Sequence, residues 1–380
     1  MAATTTHKIR RSRKVEERHA LEALIPEEWM ATEYVSREVH GVTDAKLLHK
    51  AMEMMHNVII YGPTGSAKTS LVYAYAAGFT GATRRARNKE TGEMESINVI
   101  DRSKRRPLIY VPCNGAVTPD ILFGRHVPQT DGGLRFVLGD LPLALIHGGI
   151  IYLDEVNFLS IKIAAVVHGL LDKRRTVIIQ DAAGAGICST CGYTNPSSAY
   201  HEQRVPTEPL FTCEGCGVVN YTDTVFVASE ETQIIAAYNP GYRGTNPLNE
   251  AFLNRFAIKI PFPYDQKVEE QMLYSGRLIE LANQLRSSYA TGEIATPVST
   301  SMLIEFEQFA LDSDLGYGFA VENFLSSFDE TDRPSVAQHF RNNSTQIMSD
   351  LFDDDEPDDD IDLSDLVDDT ADASTTTVSN

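Results

Sequence analysis

The sequence predicts an α/β fold, and three observations predict it. Apolar, β-branched runs recur at residues 57–61, 107–112 and 149–153, each long enough for a buried strand and too short for a buried helix. Stretches with helical spacing follow them, at 70–79, 141–147 and 160–171. The first run breaks into a glycine-rich turn before its helix begins, and strands alternating with helices in this way build layered α/β domains.

That turn is the stretch around which the chain is organised. Residues 57–69 read NVIIYGPTGSAKT. A strand, a Gly-rich loop and a helix make the context in which a G-x-x-x-x-G-K-[ST] pattern cradles phosphate. Gly62, Pro63, Thr64, Gly65, Ser66, Ala67, Lys68, Thr69 and Ser70 are the candidate nucleotide-binding residues. The two glycines let backbone N–H groups turn inward, and the helix start adds partial positive charge. Lys68 is expected to reach the β- and γ-phosphates and Thr69 to ligate Mg²⁺. Ala67 stands where the pattern has glycine; alanine, the smallest replacement, is expected to fit the helix start with a negative φ.

The run at 149–153 ends in Asp154 and Glu155, 85 residues beyond Thr69. A buried strand ending in two carboxylates is a Walker B pattern. Asp154 would hold the Mg²⁺ shell, and Glu155 would orient and deprotonate the attacking water. A further apolar strand at 233–238 ends in Asn239, and the segment 246–256, NPLNEAFLNRF, reads as a short helix ending in Arg255.

Taking the rest in order, residues 1–20 form a basic, flexible arm and 21–263 the nucleotide-binding core. A helix after Gly41-Val-Thr-Asp44 carries Leu47, Leu48, Ala51, Met54 and Met55 at core spacing. Residues 82–106, rich in Arg and poor in apolar residues, suggest an exposed insertion. Cys113 reads as a small buried hydrophobe. Residues 125–139 resemble a hairpin set between two helical pieces, and 176–180 and 224–228 read as paired strands. Residues 264–345 are expected to be a helical domain. From 346 to 380, dense Asp and Glu predict a disordered acidic tail.

Between the paired strands, at 181–223, lie CSTCG and CEGCG, carrying Cys188, Cys191, Cys213 and Cys216, with 21 residues between Cys191 and Cys213. Two CxxCG knuckles at this spacing make a zinc ribbon with four thiolates and no open position, hence a structural Zn²⁺. His201 lies between them and is not expected to ligate.

The bulk numbers set limits. The chain of 380 residues has a net charge of −20, of which −13 sits in 342–380, so the remaining body carries −7. No run reaches the 18 or so apolar residues that span a bilayer, and the basic N-terminus lacks the apolar stretch of a secretory leader. A cytoplasmic protein with no membrane role is expected.

GPTGSAKT, IIYLDE, IIAAYNPG and LNEAFLNRF, in that order, resemble the AAA+ ATPases of the MoxR group, in particular the NorQ/CbbQ-like, dynein-related branch, over roughly residues 30–310. The resemblance implies a parallel αβα sandwich with a helical lid, assembled as a homo-oligomeric ring, usually a hexamer. It places Asn239 at sensor 1, beside the attacking water, and Arg255 at the arginine finger that reaches a neighbour's ATP. The hairpin at 125–139 matches the helix-2 insert, and the paired strands match the pre-sensor-1 hairpin bearing the ribbon. It further implies a protein substrate to be remodelled, with a von Willebrand factor A domain partner. The lid departs from the pattern: relatives have S-T-R where this chain has Ser299-Thr300-Ser301, so the sensor-2 arginine is missing from its place. The alternative is a nucleic-acid motor or loader using the ribbon and the basic segments. A third reading is a scaffold that holds ATP without turnover.

Overall fold

The structure, a computed structural model, describes residues 21–87, 94–113, 117–130, 132–159, 161–195, 208–240, 248 and 250–352. The basic arm at 1–20, His201, and the acidic run from 353 onward lie outside the described residues. The chain divides into two units. One comprises Met1–Gly62 with Lys68–Pro263, and the other Pro63–Ala67 with Tyr264–Asn380.

In the first unit, helix α1 (Asp44–Glu53) leads to strand β1 (Val58–Tyr61) and helix α2 (Lys68–Ala76), followed by a hairpin, β2 (Phe79–Arg87) and β3 (Met94–Ile100). Strand β4 (Leu108–Pro112), helix α3 (Pro119–Phe123), a second hairpin, β5 (Gly124–Pro128) and β6 (Leu134–Leu138), and helix α4 (Asp140–His147) come next. Strand β7 (Gly149–Asp154) and helix α5 (Ile161–Leu171) precede β8 (Thr176–Ile178), the short pair β9 (Phe211–Thr212) and β10 (Val219–Asn220), and β11 (Val225–Val227). Strand β12 (Thr232–Tyr238), helix α6 (Glu250–Leu253) and strand β13 (Ile258–Pro261) close the unit.

Five of these strands form one parallel sheet in the order β13–β1–β12–β7–β4. Side chains alternate across it, and both faces are covered. Ile59, Ile151, Leu153, Ile234 and Ala236 pack with Leu141 and Leu145 of α4 and Val167 and Leu170 of α5. Val58, Ile60, Tyr152, Ile235 and Ala237 pack on the other face with Leu48 and Ala51 of α1 and Leu71 and Tyr75 of α2. This double burial is why the strands read as unbroken apolar runs. It gives the expected αβα layering.

The two inserted hairpins pair antiparallel as expected: β5 with β6, His126 opposite Phe136, and β8 with β11, Val177 opposite Phe226. One expectation needs correction. Met54 and Met55 are not core residues; they are 49% and 54% exposed, because α1 ends at Glu53 and Met55 turns away with a φ of +52°. The basic stretch after residue 82, expected to be an exposed insertion, is a hairpin with an exposed outer half. Its described parts pair as β2 and β3, from Thr83–Asn98 to Arg87–Met94, and the Asn98 amide donates to the carbonyls of Ala31 and Tyr34 at 2.8 and 2.7 Å. Polar residues on both faces of its outer half hid the strand alternation.

The second unit is helical: α7 (Gln266–Glu269), α8 (Gly276–Thr291), α9 (Thr300–Leu311), α10 (Gly316–Ser326) and α11 (Arg333–Leu351). Ser275 caps α8 by accepting from the Leu278 N–H, and Ser299 caps α9 by accepting from Met302. Phe306, Phe324 and Phe340 join the helices in one core, with ring centroids 4.9–6.1 Å apart. Helix α11 runs to Leu351, into the segment expected to be tail from 346, because Ile347 is buried in this core. Among the described residues no helix is long and apolar enough to cross a membrane.

Candidate nucleotide site

Because the sheet is parallel, every strand delivers its last residue to the same edge. Tyr238 of β12 lies opposite Tyr61 of β1, and Asp154 of β7 lies opposite Pro112 of β4. Gly62, Lys68, both acidic residues and Asn239 therefore converge where ligands bind in open α/β sheets.

The loop starts under steric constraint. A Cβ on Gly62 would meet the carbonyl oxygen of Phe262 at 2.0 Å, so only glycine fits there. Gly65 has a φ of +66°. Ala67 has a φ of +67°, which overturns the expected negative value. The loop keeps the left-handed turn that glycine ordinarily supplies and forces alanine into it, a strain of about 1–3 kcal/mol. Glu155 is left-handed as well, at φ 55° and ψ 46°, on the turn after β7. Strain of this kind collects at functional sites.

Lys68 is buried and donates to the Gly62 carbonyl at 3.0 Å. Desolvation pushes its ammonium down to about 8, against the pull of Asp154 and Glu155 in the opposite direction. The Thr69 hydroxyl donates to Asp154 Oδ2 at 3.2 Å. Asn239 is buried, and its Oδ1 has no hydrogen-bond partner among the described residues. A buried amide oxygen without a partner needs an explanation; a water or ligand at this edge would supply one.

The donor set suits a hard divalent cation held by oxygen: the Thr69 hydroxyl and the Asp154 carboxylate, with a cationic Lys68 alongside for phosphate. Mg²⁺ fits these residues. Bound there, it would neutralise charge between the β- and γ-phosphates.

Arg255 is not part of this cluster. Its backbone carbonyl accepts from Asn57 Nδ2 at 3.2 Å, and Asn57 precedes β1. Arg255 thus lies at the amino edge of the sheet, a four-residue strand away from Gly62, or about 13 Å. Its Nη1 donates to the Ala251 carbonyl at 2.6 Å.

The four ribbon cysteines do come together, with all sulfurs within 4.8 Å of one another. Cys188 and Cys216 are 3.7 Å apart at sulfur, as are Cys191 and Cys213. A tetrahedron with Zn–S bonds of about 2.3 Å spaces its sulfurs about 3.8 Å apart, whereas a disulfide needs about 2.05 Å. The knuckles repeat each other. Cys188 N–H bonds to Tyr193 O and Gly192 N–H to Cys188 O; Cys213 N–H bonds to Val218 O and Gly217 N–H to Cys213 O. Backbone N–H groups of Thr190 and Gly215 donate to the sulfurs of Cys188 and Cys213 at 3.4 and 3.2 Å, which favours thiolates. Four sulfurs so arranged can hold a metal ion.

In the second unit Ser299 and Ser301 lie against the loop: a Cβ on Gly65 would meet Ser299 Cβ at 2.5 Å and Ser301 Oγ at 3.3 Å. Thr300 donates to buried Glu269 at 2.6 Å, and Arg286 pairs with the same carboxylate at 2.6 Å. Arg286 is therefore committed within the helical unit.

The profile of the AAA domain (dynein-related subfamily) matches residues 57–256, more than half of the chain. The chain belongs to this family. As an AAA+ domain, it carries a fold and motif set that support ATP hydrolysis. Similar proteins include the uncharacterized protein SSP1341 of Staphylococcus saprophyticus, 26% identical over 60% of this chain and 62% of its own. YojN of Bacillus subtilis is 27% identical over 56% of this chain and 50% of its own, and SERP0979 of Staphylococcus epidermidis is 24% identical over 73% and 86%. The match thus spans only half to three-fifths of the length of the first two. A crystal structure from Cytophaga hutchinsonii aligns over 88% of this chain and 87% of its own at 15% identity and a TM-score of 0.35, too low to carry an argument.

Sequence reasoning missed the tyrosines around Asp154. Tyr152 and Tyr110 both place a hydroxyl 3.1 Å from its carboxylate. Tyr152 was detectable in principle, since a residue two before Asp154 on a strand shares its face.

Proposed function

We propose that this AAA+ protein is a MoxR-like ATPase that assembles as a ring, a hexamer by family resemblance, and couples ATP turnover to remodelling a protein partner. Lys68 and the 62–70 loop hold the triphosphate, Thr69 and Asp154 its Mg²⁺, and Glu155 and Asn239 the attacking water. Arg255 completes the site of the neighbouring subunit. The observation that carries this reading is the separation of parts: every other catalytic candidate lies at the carboxyl edge of the sheet, and Arg255 lies at the amino edge. An arginine so placed serves its own nucleotide poorly, and a neighbour's well if subunits stack edge to edge. The ribbon holds a structural Zn²⁺ that folds a segment too small to hold itself.

The test is Mg-ATP hydrolysis per subunit against protein concentration. The expected rate per subunit falls steeply as the ring dissociates, because an arginine finger contributes about 10³–10⁵ in rate. Arg255→Ala is expected to bind ATP normally and hydrolyse it poorly, and to regain turnover when mixed with Lys68→Ala subunits. A flat rate per subunit on dilution, with no rescue on mixing, would reject the shared site. The remodelling reading is tested by capture on Glu155→Gln, which should retain its protein target in ATP; a von Willebrand factor A domain protein is the partner expected by resemblance.

A further inference from the structure

We propose that Tyr152 and Tyr110 are positioning residues for the Mg²⁺ of the nucleotide site, acting through the Asp154 carboxylate. This rests on the Mg-ATP reading above.

The carboxylate is closely held. Its Oδ1 accepts from the Tyr152 hydroxyl at 3.1 Å and from the Glu155 N–H at 3.0 Å. Its Oδ2 accepts from the Thr69 hydroxyl at 3.2 Å and from the Tyr110 hydroxyl at 3.1 Å. An ionised carboxylate offers about four acceptor positions, and four protein donors lie within reach of them, so the plane of the group is held from four directions. The Tyr152 hydroxyl is also 3.1 Å from Thr69 Oγ1, and so touches both residues expected to hold the metal.

The fold puts the two phenols there. Tyr110 of β4 and Tyr152 of β7 are register partners, and Pro112 and Asp154 are the next pair on the same face. Their rings lie 5.8 Å apart, with Tyr73 of α2 6.5 Å beyond Tyr110. Tyr152 is fully buried and Tyr110 is 42% exposed. Covering a sheet face requires apolar bulk at these places; it does not require two hydroxyls aimed at one carboxylate.

Proton accounting supports the role. The Thr69 hydroxyl has one hydrogen, which points to Asp154 and leaves its lone pairs for a metal. The Tyr152 hydroxyl also has one hydrogen, which serves either Thr69 or Asp154. With a cation on Thr69 the first option would be lost, leaving that hydrogen for Oδ1. The phenol would thus keep the carboxylate in place. Partners one bond removed from a metal ligand typically change metal affinity by about 10–100-fold.

The experiment measures binding of a fluorescent, non-hydrolysable ATP analogue as Mg²⁺ is titrated, in the full-length wild type, Tyr152→Phe and Tyr110→Phe. Tyr152→Phe is expected to raise the half-saturating Mg²⁺ about tenfold, with affinity for the metal-free nucleotide unchanged. Tyr110→Phe is expected to raise it less, because water can replace an exposed phenol. Wild-type Mg²⁺ dependence retained by both variants overturns the proposal, as does an equal loss of metal-free and metal-dependent binding, which marks a packing role only. Wild type that binds the analogue with no response to Mg²⁺ would instead overturn the Mg-ATP reading itself.

Discussion

The hydroxyl of Thr69 sits 3.2 Å from Oδ2 of Asp154, although the two residues are 85 apart in the chain. Parallel pairing of β1, β12 and β7 places the first turn of α2 over the end of β7. The contact brings together the two residues proposed to hold Mg²⁺.

The strained alanine in the loop gives the first prediction. Ala67→Gly should relieve the left-handed strain of about 1–3 kcal/mol and give back about 0.5–1 kcal/mol in unfolded-chain entropy. A net gain of about 1 kcal/mol in urea denaturation, with nucleotide binding retained, is expected. A less stable variant would show that the alanine methyl packs for more than its strain.

Lys68 gives a pH dependence. Its ammonium titrates at about 8 in the free protein, and only the charged form attracts triphosphate. Affinity for nucleotide should therefore be level below pH 8 and fall above it, approaching tenfold per pH unit. In stability the sign is opposite. Between pH 8 and the ordinary lysine range near 10.4 the unfolded chain binds more protons, so this residue's contribution to stability rises with pH there. Nucleotide titrations from pH 7 to 9.5 check the first statement; Lys68→Met should flatten what binding remains.

The cysteine cluster should contain one zinc per chain by elemental analysis. Chelation is expected to expose amides of 186–195 and 208–220 to hydrogen exchange while β1, β7 and β12 stay protected. Cys213→Ser should lose the metal and give the same local pattern. Full protection without metal would show that the segment folds by packing alone.

In the helical unit, Arg286 and Glu269 form a pair whose side chains are only 13% and 1% exposed. Arg286→Met should destabilise the protein by about 3–5 kcal/mol, because it leaves a buried carboxylate with no cation. Adding Glu269→Met should recover most of that loss. Denaturant midpoints of the single and double variants decide it.

Much of this site was legible in the sequence because its signals are local. Val58, Ile59 and Ile60 read as a buried strand since both sheet faces are covered, and the Gly62–Lys68 spacing encodes the turn directly. The two cysteine knuckles are equally local. What was not legible depends on register between distant strands. Tyr110 meets Asp154 only because β4 pairs with β7. The left-handed φ of Ala67 was masked by alanine's preference for helix, which the loop geometry overrides. Met54 and Met55 kept helical spacing after the helix had stopped.

The strand pair β8 and β11 closes through Ile179 N–H to Thr224 O at 2.8 Å, and Asp223 takes the N–H groups of Gly184 and Gly186. The excursion carrying the cysteines leaves and returns at adjacent points. A tight reverse turn would span that gap, since Ile178 and Val225 are already register partners. The cysteine-bearing segment is thus an addition joined to the AAA+ core through one strand pair.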